Sequence, residues 1–339
     1  MTGPGTLLMI GLPGLELDDS TRRLIDEAAI NNFILFSRNI AEPAQLRELC
    51  AELAKACAAG GLDAPLIGID QEGGSVARLP EPWSRFPDFR LLAESPEPEA
   101  ALTGYARTVS RELLEMGINL NFSPVLDVCP RNGGYFMERR SLSGDPEEAA
   151  RLGVLVINEM QNSGVAACAK HFPGLGAARL DPHLTLPTVD RPRARLLAED
   201  LLPFRAATAA GVAAVMTSHT IYQNLDPDRP ATLSTGILGG LLRDELGYDG
   251  LVITDDLEMG AIENEMTVAE ASLQSLLAGA DLLLICHEHD KVRATIELLS
   301  EASRDGRLEP ARLERAARRI NAVRGRFAGT GLGKSEGGG

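Results

Sequence analysis

EEAARLGVLVINEMQNSGVAACAKHF, residues 147–172, joins two kinds of pattern. Its first part has helical spacing and stops at Gly164, the residue type that most readily takes the turn closing a helix. Directly after it comes VAACAKHF (165–172), an apolar run too continuous for an antiparallel strand with one wet face, which would alternate. A fully apolar strand following a Gly-closed helix is the repeating unit of a parallel α/β sheet.

The same unit recurs along the chain. Short apolar runs appear at LLMIGL (7–12), FILF (33–36), LIGID (66–70), INLNFSPVLDV (118–128), VAAVMTSH (212–219), LVITDD (251–256) and DLLLICH (281–287). Helical patterns lie between most of them: STRRLIDEAAI opened by Ser20, AQLRELCAELAKACAAGG closed by Gly60, and ARTVSRELLEMG closed by Gly117. Strand and helix alternate about eight times, and no G-x-G-x-x-G follows the first strand, so a (β/α)₈ TIM-type barrel is favoured over an open doubly wound sheet. No Pro/Gly/Ser-rich linker divides the chain, which gives one barrel domain over 1–327 and a flexible tail over 328–339. That tail includes a loose phosphate-loop pattern from Ala328 to Ser335, but too few residues follow it to form the helix such a loop needs.

Composition narrows the function classes. A net charge of −15 repels nucleic acid and anionic lipid, and aromatics at 4% are too few for extended base stacking. The five cysteines are odd in number and lack CxxC spacing, as expected of reduced thiols. With no signal-peptide pattern at the N-terminus and no run of about 18 apolar residues, the expected location is the cytoplasm, away from any membrane.

In such a barrel, chemistry gathers at the C-terminal ends of the strands. The residues ending the apolar runs are Asp70 with Gln71 and Glu72, Asp127, Lys170 with His171, His219, Asp255 with Asp256, and His287. Asp127 and one of Asp255 and Asp256 could equally be helix N-caps, and residues 255 and 256 cannot both face the barrel axis because strand side chains alternate. HEH (287–289) would suit a pair of metal ligands, but no further ligand triad is visible. Lys170 and His171, placed before Phe-Pro-Gly, read as a functional pair. In IDQEGGSVARLP (69–80), a Gly pair lets the backbone turn tightly beside a ligand, while Asp70 and Arg78 supply an acceptor and a fork-shaped donor.

Taken in order, IDQEGGSVARLP, NFSPVLDV, ERRSLSGDP, KHFPGLG, DPHLTLP, VMTSHTIY, LDPDRPATLS and DGLVITDDLEMGAI resemble the glycoside hydrolase family 3 β-N-acetylhexosaminidases, in the single-domain form of bacterial cell-wall recycling. The resemblance runs over roughly residues 8 to 290. It implies the barrel, retaining hydrolysis of terminal β-linked N-acetylglucosamine from small carbohydrates such as muropeptides, and no metal and no organic cofactor; the expected state is a monomer.

The family's residues carry over one by one. Asp255, the first acid of TDD, becomes the nucleophile, leaving Asp256 to point outward and cap the helix starting near Leu257. Larger members draw a Glu proton donor from a second domain; the similarity here is to the branch in which a loop His, held by an Asp two residues earlier, donates instead, which gives His183 and Asp181. An imidazole with an ordinary pKa near 6.5 suits that task at neutral pH. Asp70, Arg78, Arg140, Lys170 and His171 become contacts to the sugar or its neighbour, and His219 lines the mouth or makes a structural hydrogen bond. Three positions depart from the family pattern: Leu175 where a His is common, Pro182 in place of Ser, and Ser75 in place of Arg. Two alternatives stay open, a phosphorylase that passes the sugar to phosphate and a non-catalytic barrel that binds cell-wall fragments.

Overall fold

The computed structural model describes residues 3–178 and 186–329. Eight parallel strands close into a barrel, each hydrogen-bonded to its neighbours in sequence, with the first meeting the last. They are β1 (Leu8–Gly11), β2 (Asn32–Leu35), β3 (Leu66–Ile69), β4 (Leu120–Asn121), β5 (Ala166–Phe172), β6 (Ala214–Thr217), β7 (Leu251–Asp256) and β8 (Leu282–Ile285). Each falls within, or one residue from, an apolar run of the sequence, and closure is made by Met9 pairing with Leu284. The long run 118–128 yields only a short strand, because Pro124 has no N–H to donate; an isolated bridge from Val125 to Lys170 continues the contact.

Helices cover the outside, among them α1 (Asp19–Ala28), α2 (Pro43–Ala59), α3 (Pro98–Met116) and α4 (Pro146–Asn162). The anticipated stops hold: Gly117 takes the left-handed conformation at φ 87° and Gly60 caps the preceding helix. One start differs. Asp18, not Ser20, caps α1, its carboxylate accepting from the amides of Ser20 and Thr21, because a cap must precede the first helical turn. After β8, two more helices, α5 (His289–Arg304) and α6 (Pro310–Phe327), return along the barrel wall. The ten residues 330–339 of the expected tail lie outside the described residues.

The core is aliphatic, as the shortage of aromatics requires, and all five cysteines are free and buried in it. Phe122 is one of its few rings and lies across β3, where Gly68 leaves room for it. A β-carbon at Gly68 would stand 2.9 Å from the Phe122 ring. Gly68→Ala is therefore expected to destabilise the barrel by about 1–3 kcal/mol, read as a lower urea midpoint at unchanged slope. A midpoint equal to that of the wild type would show that the ring yields without cost.

Candidate active site

Strand β3 ends at Ile69 and the chain passes through Asp70 into a hairpin, Gln71–Gly73 against Val76–Ala77. Gly73 (φ 108°) and Gly74 (φ 55°) make the turn, and a β-carbon at Gly73 would come within 2.7 Å of the Pro87 carbonyl. The glycine pair is thus required by the hairpin itself. What the hairpin delivers is Glu72, buried at 2% exposure.

Glu72 and Asp70 grip the ammonium of Lys170 from two sides, each at 2.7 Å. Arg140 clasps Glu72 in a fork, with Nη2 donating to Oε1 at 2.7 Å and Nε to Oε2 at 2.9 Å. Arg78 reaches Asp70 at 3.4 Å and lies over the Phe36 ring at 5.5 Å. Its Nε is buried and has no partner among the described residues. Burial alone would raise both carboxyl groups, but Arg140 and Lys170 hold Glu72, and Lys170 and Arg78 hold Asp70, below the ordinary carboxylate range. Lys170 is raised in turn, since the two carboxylates outweigh its own desolvation.

Four of the expected sugar contacts therefore form one network, joined by Glu72, which the sequence reading placed at the mouth without a role. A signal for it existed: Asp70 and Glu72 are two apart, the spacing that puts side chains on one face of an extended chain. His171 lies beside this network on β5 and is managed separately. Asp127 accepts from its Nδ1 at 2.8 Å and its backbone amide at 3.2 Å, and also from the amide of Leu175 at 2.6 Å. Asp127 is thus a buried bracket for His171 and the following turn, which settles its open reading against a helix cap.

Asp255 ends β7 half-buried, its Oδ1 accepting from the amide of Asp256 at 2.9 Å. It is near enough to the network that Asp255, Lys170 and Asp70 all act on the buried Cys168 thiol, which burial pushes up. Asp256 does not cap a helix at Leu257. Its Oδ1 accepts from Glu258 N at 3.1 Å within a turn, its Oδ2 pairs with His287 at 3.3 Å, and the helix Gly260–Glu263 starts later, after Met259. His287 is raised, chiefly by its hydrogen bond to Asp256.

His219, expected at the mouth, is fully buried with both ring nitrogens engaged: Nδ1 meets Thr232 Oγ1 at 2.8 Å and Nε2 the Asp256 carbonyl at 2.9 Å. It is lowered by burial, partly offset by Asp255. A nitrogen committed to the Asp256 carbonyl is not available to a ligand, so of its two readings the structural hydrogen bond is the one observed. The histidines of HEH are also committed apart, His287 to Asp256 and His289 to the Gly11 carbonyl at 3.0 Å. Leu175 is buried in the core and Ser75 is exposed on the hairpin turn. Asp181, Pro182 and His183 lie outside the described residues.

A parallel barrel whose strand ends carry half-buried and buried carboxylates among arginine, lysine and histidine donors is the arrangement of a glycoside hydrolase. Comparison with known proteins agrees. The glycosyl hydrolase family 3 N-terminal domain profile matches residues 5–323. A beta-hexosaminidase of Pseudomonas aeruginosa is 36% identical over 309 residues, covering 91% of this chain and 90% of that one. One from Thiobacillus denitrificans is 37% identical over 301 residues, 86% and 82% of the two chains. Among solved structures, the family 3 beta-N-acetylglucosaminidase of Paenibacillus sp. superposes with a TM-score of 0.92 at 42% identity; the match covers 96% of this chain and 62% of that one. The beta-N-acetylhexosaminidase of Beutenbergia cavernae gives 0.86 at 30% identity, covering 95% and 97%. The chain belongs to glycosyl hydrolase family 3, as a glycoside hydrolase of the β-hexosaminidase type.

Two outcomes test the electrostatics. Glu72→Gln leaves the buried Lys170 and Arg140 without their shared anion and is expected to cost about 3–5 kcal/mol of stability in urea unfolding. Asp200, fully buried beside Gly174 and bonded to Arg191 at 2.9 Å, has its pKa pushed up to about 7 by burial against the pull of Arg191. Between about pH 4 and 7 the folded chain keeps a proton that the unfolded chain releases, so this group makes stability fall as pH rises. From pH 5 to pH 8, Asp200→Asn should gain about 2 kcal/mol relative to wild type. A pH-independent difference would refute the assignment.

Proposed function

We propose that this chain hydrolyses terminal β-linked N-acetylglucosamine from small saccharides, among them peptidoglycan fragments, with retention at the anomeric carbon. The observation that carries the reading is Asp255, a half-buried carboxylate at the end of β7 anchored by the Asp256 amide and adjoining the Lys170 network. Buried reduced thiols fit the cytoplasm as its place of action.

Asp255 attacks the anomeric carbon, and the bond to the leaving oxygen breaks as His183 gives that oxygen its proton. The role assigned to Asp181 is to accept from the other imidazole nitrogen, which sets the tautomer and steadies the cation. The glycosyl ester so formed is opened by water, whose proton returns to His183. His183 donates as the imidazolium and is neutral afterwards, so the donor adds no second anion beside Asp255.

The −1 sugar is held by donors already fixed in place. Two of the three N–H bonds of Lys170 go to Asp70 and Glu72, leaving a third for a hydroxyl, and Arg78, part-exposed and bound to Asp70 through Nη2, brings further guanidinium donors. With Nδ1 on Asp127, His171 offers Nε2. Asp70 accepts from a hydroxyl, and Arg140, bound to Glu72, holds the wall through which an acidic aglycone is met.

Asp255→Ala should abolish nitrophenol release from the nitrophenyl N-acetyl-β-glucosaminide, whereas Asp256→Ala, which loses the turn and the His287 pair, should lower stability more than turnover. His183→Ala should lose roughly 10²–10⁴-fold, least with leaving groups that need no proton. Proton NMR at early times should show the β-anomer of free N-acetylglucosamine. Equal and total loss in folded Asp255 and Asp256 variants would undo the nucleophile assignment, and sugar 1-phosphate formed in phosphate buffer would replace hydrolysis by phosphorolysis.

A further inference from the structure

Helix α6 carries six arginines in 18 residues, in a chain whose 48 acids outnumber its 33 bases. Three are consumed by the fold. Arg312 and Arg319 bind the buried Asp281, and Arg324 donates to the side chains of Asn31 and Asn32. The other three, Arg315, Arg318 and Arg326, are exposed and form no salt bridge among the described residues. All three line one cleft of about 620 Å³.

The cleft lies where Ala213 and Gly250 lead into β6 and β7, at the end of the barrel opposite the strand termini that carry Asp255 and Lys170. Its floor includes Val212, Tyr248, Val323 and Phe327, so an apolar base is rimmed by guanidinium groups. Asp249 is the one carboxylate lining it, and Asp249 is spent on Arg319, which it accepts from at 2.6 Å.

We propose that this cleft is a second ligand site, for a small phosphate-bearing anion with an organic ring or chain. Arg315 and Arg318 stand about one turn apart on α6, so both side chains rise from one side of the helix and line the same cleft. Planar forks of this kind match a phosphate, whose doubly charged oxygens take two guanidinium groups. The volume is that of a small-molecule site, and the apolar floor accommodates the rest of the ligand. The field of a chain at −15 turns away large polyanions at a distance, but it is screened over about 10 Å and leaves a compact anion free to enter.

The test is calorimetric titration of inorganic pyrophosphate into the full chain at fixed ionic strength. The expected result is one saturable site, weakened tenfold or more in Arg315→Gln/Arg318→Gln and less in Arg318→Lys, which keeps the charge and loses the fork. Turnover of the nitrophenyl N-acetyl-β-glucosaminide without pyrophosphate should be the same in all three proteins. Absence of saturable heat in the wild type, or undiminished binding in the double Gln variant, would overturn the site. Citrate binding as tightly as pyrophosphate would overturn the phosphate assignment. Should the double variant melt early, Arg318→Lys alone decides, since a site unaffected by loss of the fork is not the one proposed.

Discussion

A lysine ammonium at 2% exposure between a buried carboxylate, Glu72, and a half-buried one, Asp70, is the constraint on which the mouth of this barrel depends. Removing any one of these charges from water costs several kcal/mol, and the cost is met only when every partner is in place. Lys170 comes from β5, Asp70 and Glu72 from the segment after β3, and Arg140 from the loop after β4. One strand and two separate βα connections must therefore assemble correctly before the network can be buried. Two anions, Asp70 and Glu72, against three cations, Lys170, Arg78 and Arg140, leave a net charge of one positive. The carboxylate of Asp255, which adjoins this network, brings the formal total to zero.

The second structural centre is Asp256, where four functions meet at one residue. Its amide fixes Asp255, its carbonyl receives His219, and its carboxylate divides between the Glu258 amide and His287. His219 in turn is braced by Thr232. A buried, neutral imidazole is suited to this work: it satisfies a carbonyl inside the protein without adding a charge that Asp255 would have to balance. The position after the proposed nucleophile thus acts through backbone and side chain alike to keep one carboxylate in one place.

The fold was legible because its signal is repeated. Eight apolar runs between Gly-closed helices survive an error in any one of them, and the shortened β4 did not alter the topology. At the site, residues whose type and position coincide were readable as a group: the structure brings Asp70, Arg78, Lys170 and Arg140 together. Residues whose role depends on which way a side chain turns were not. Glu72 was placed at the mouth without a role, Asp127 stayed open between site and cap, and His219 between mouth and structural hydrogen bond, since a strand end by itself does not say whether a side chain faces the cavity or the wall. Asp256 was misplaced for a related reason, as a three-residue shift in the helix start turns a cap into a turn closure.

The departures from the family pattern can be weighed in the same way. At Leu175 the part that serves the site is the backbone amide, which donates to Asp127, and an amide is supplied by any residue except proline. The side chain enters the core instead, so exchanging a polar ring for leucine adds apolar burial and leaves the bracket on His171 intact. Ser75 likewise contributes its amide, held by Asp88 at 3.1 Å, while its side chain is exposed at the tip of a hairpin whose shape is set by the two glycines before it. Both substitutions thus fall where the main chain does the positioning. What differs is core packing at Leu175 and the exposed tip of the hairpin at Ser75, while the backbone contacts to Asp127 and Asp88 are kept.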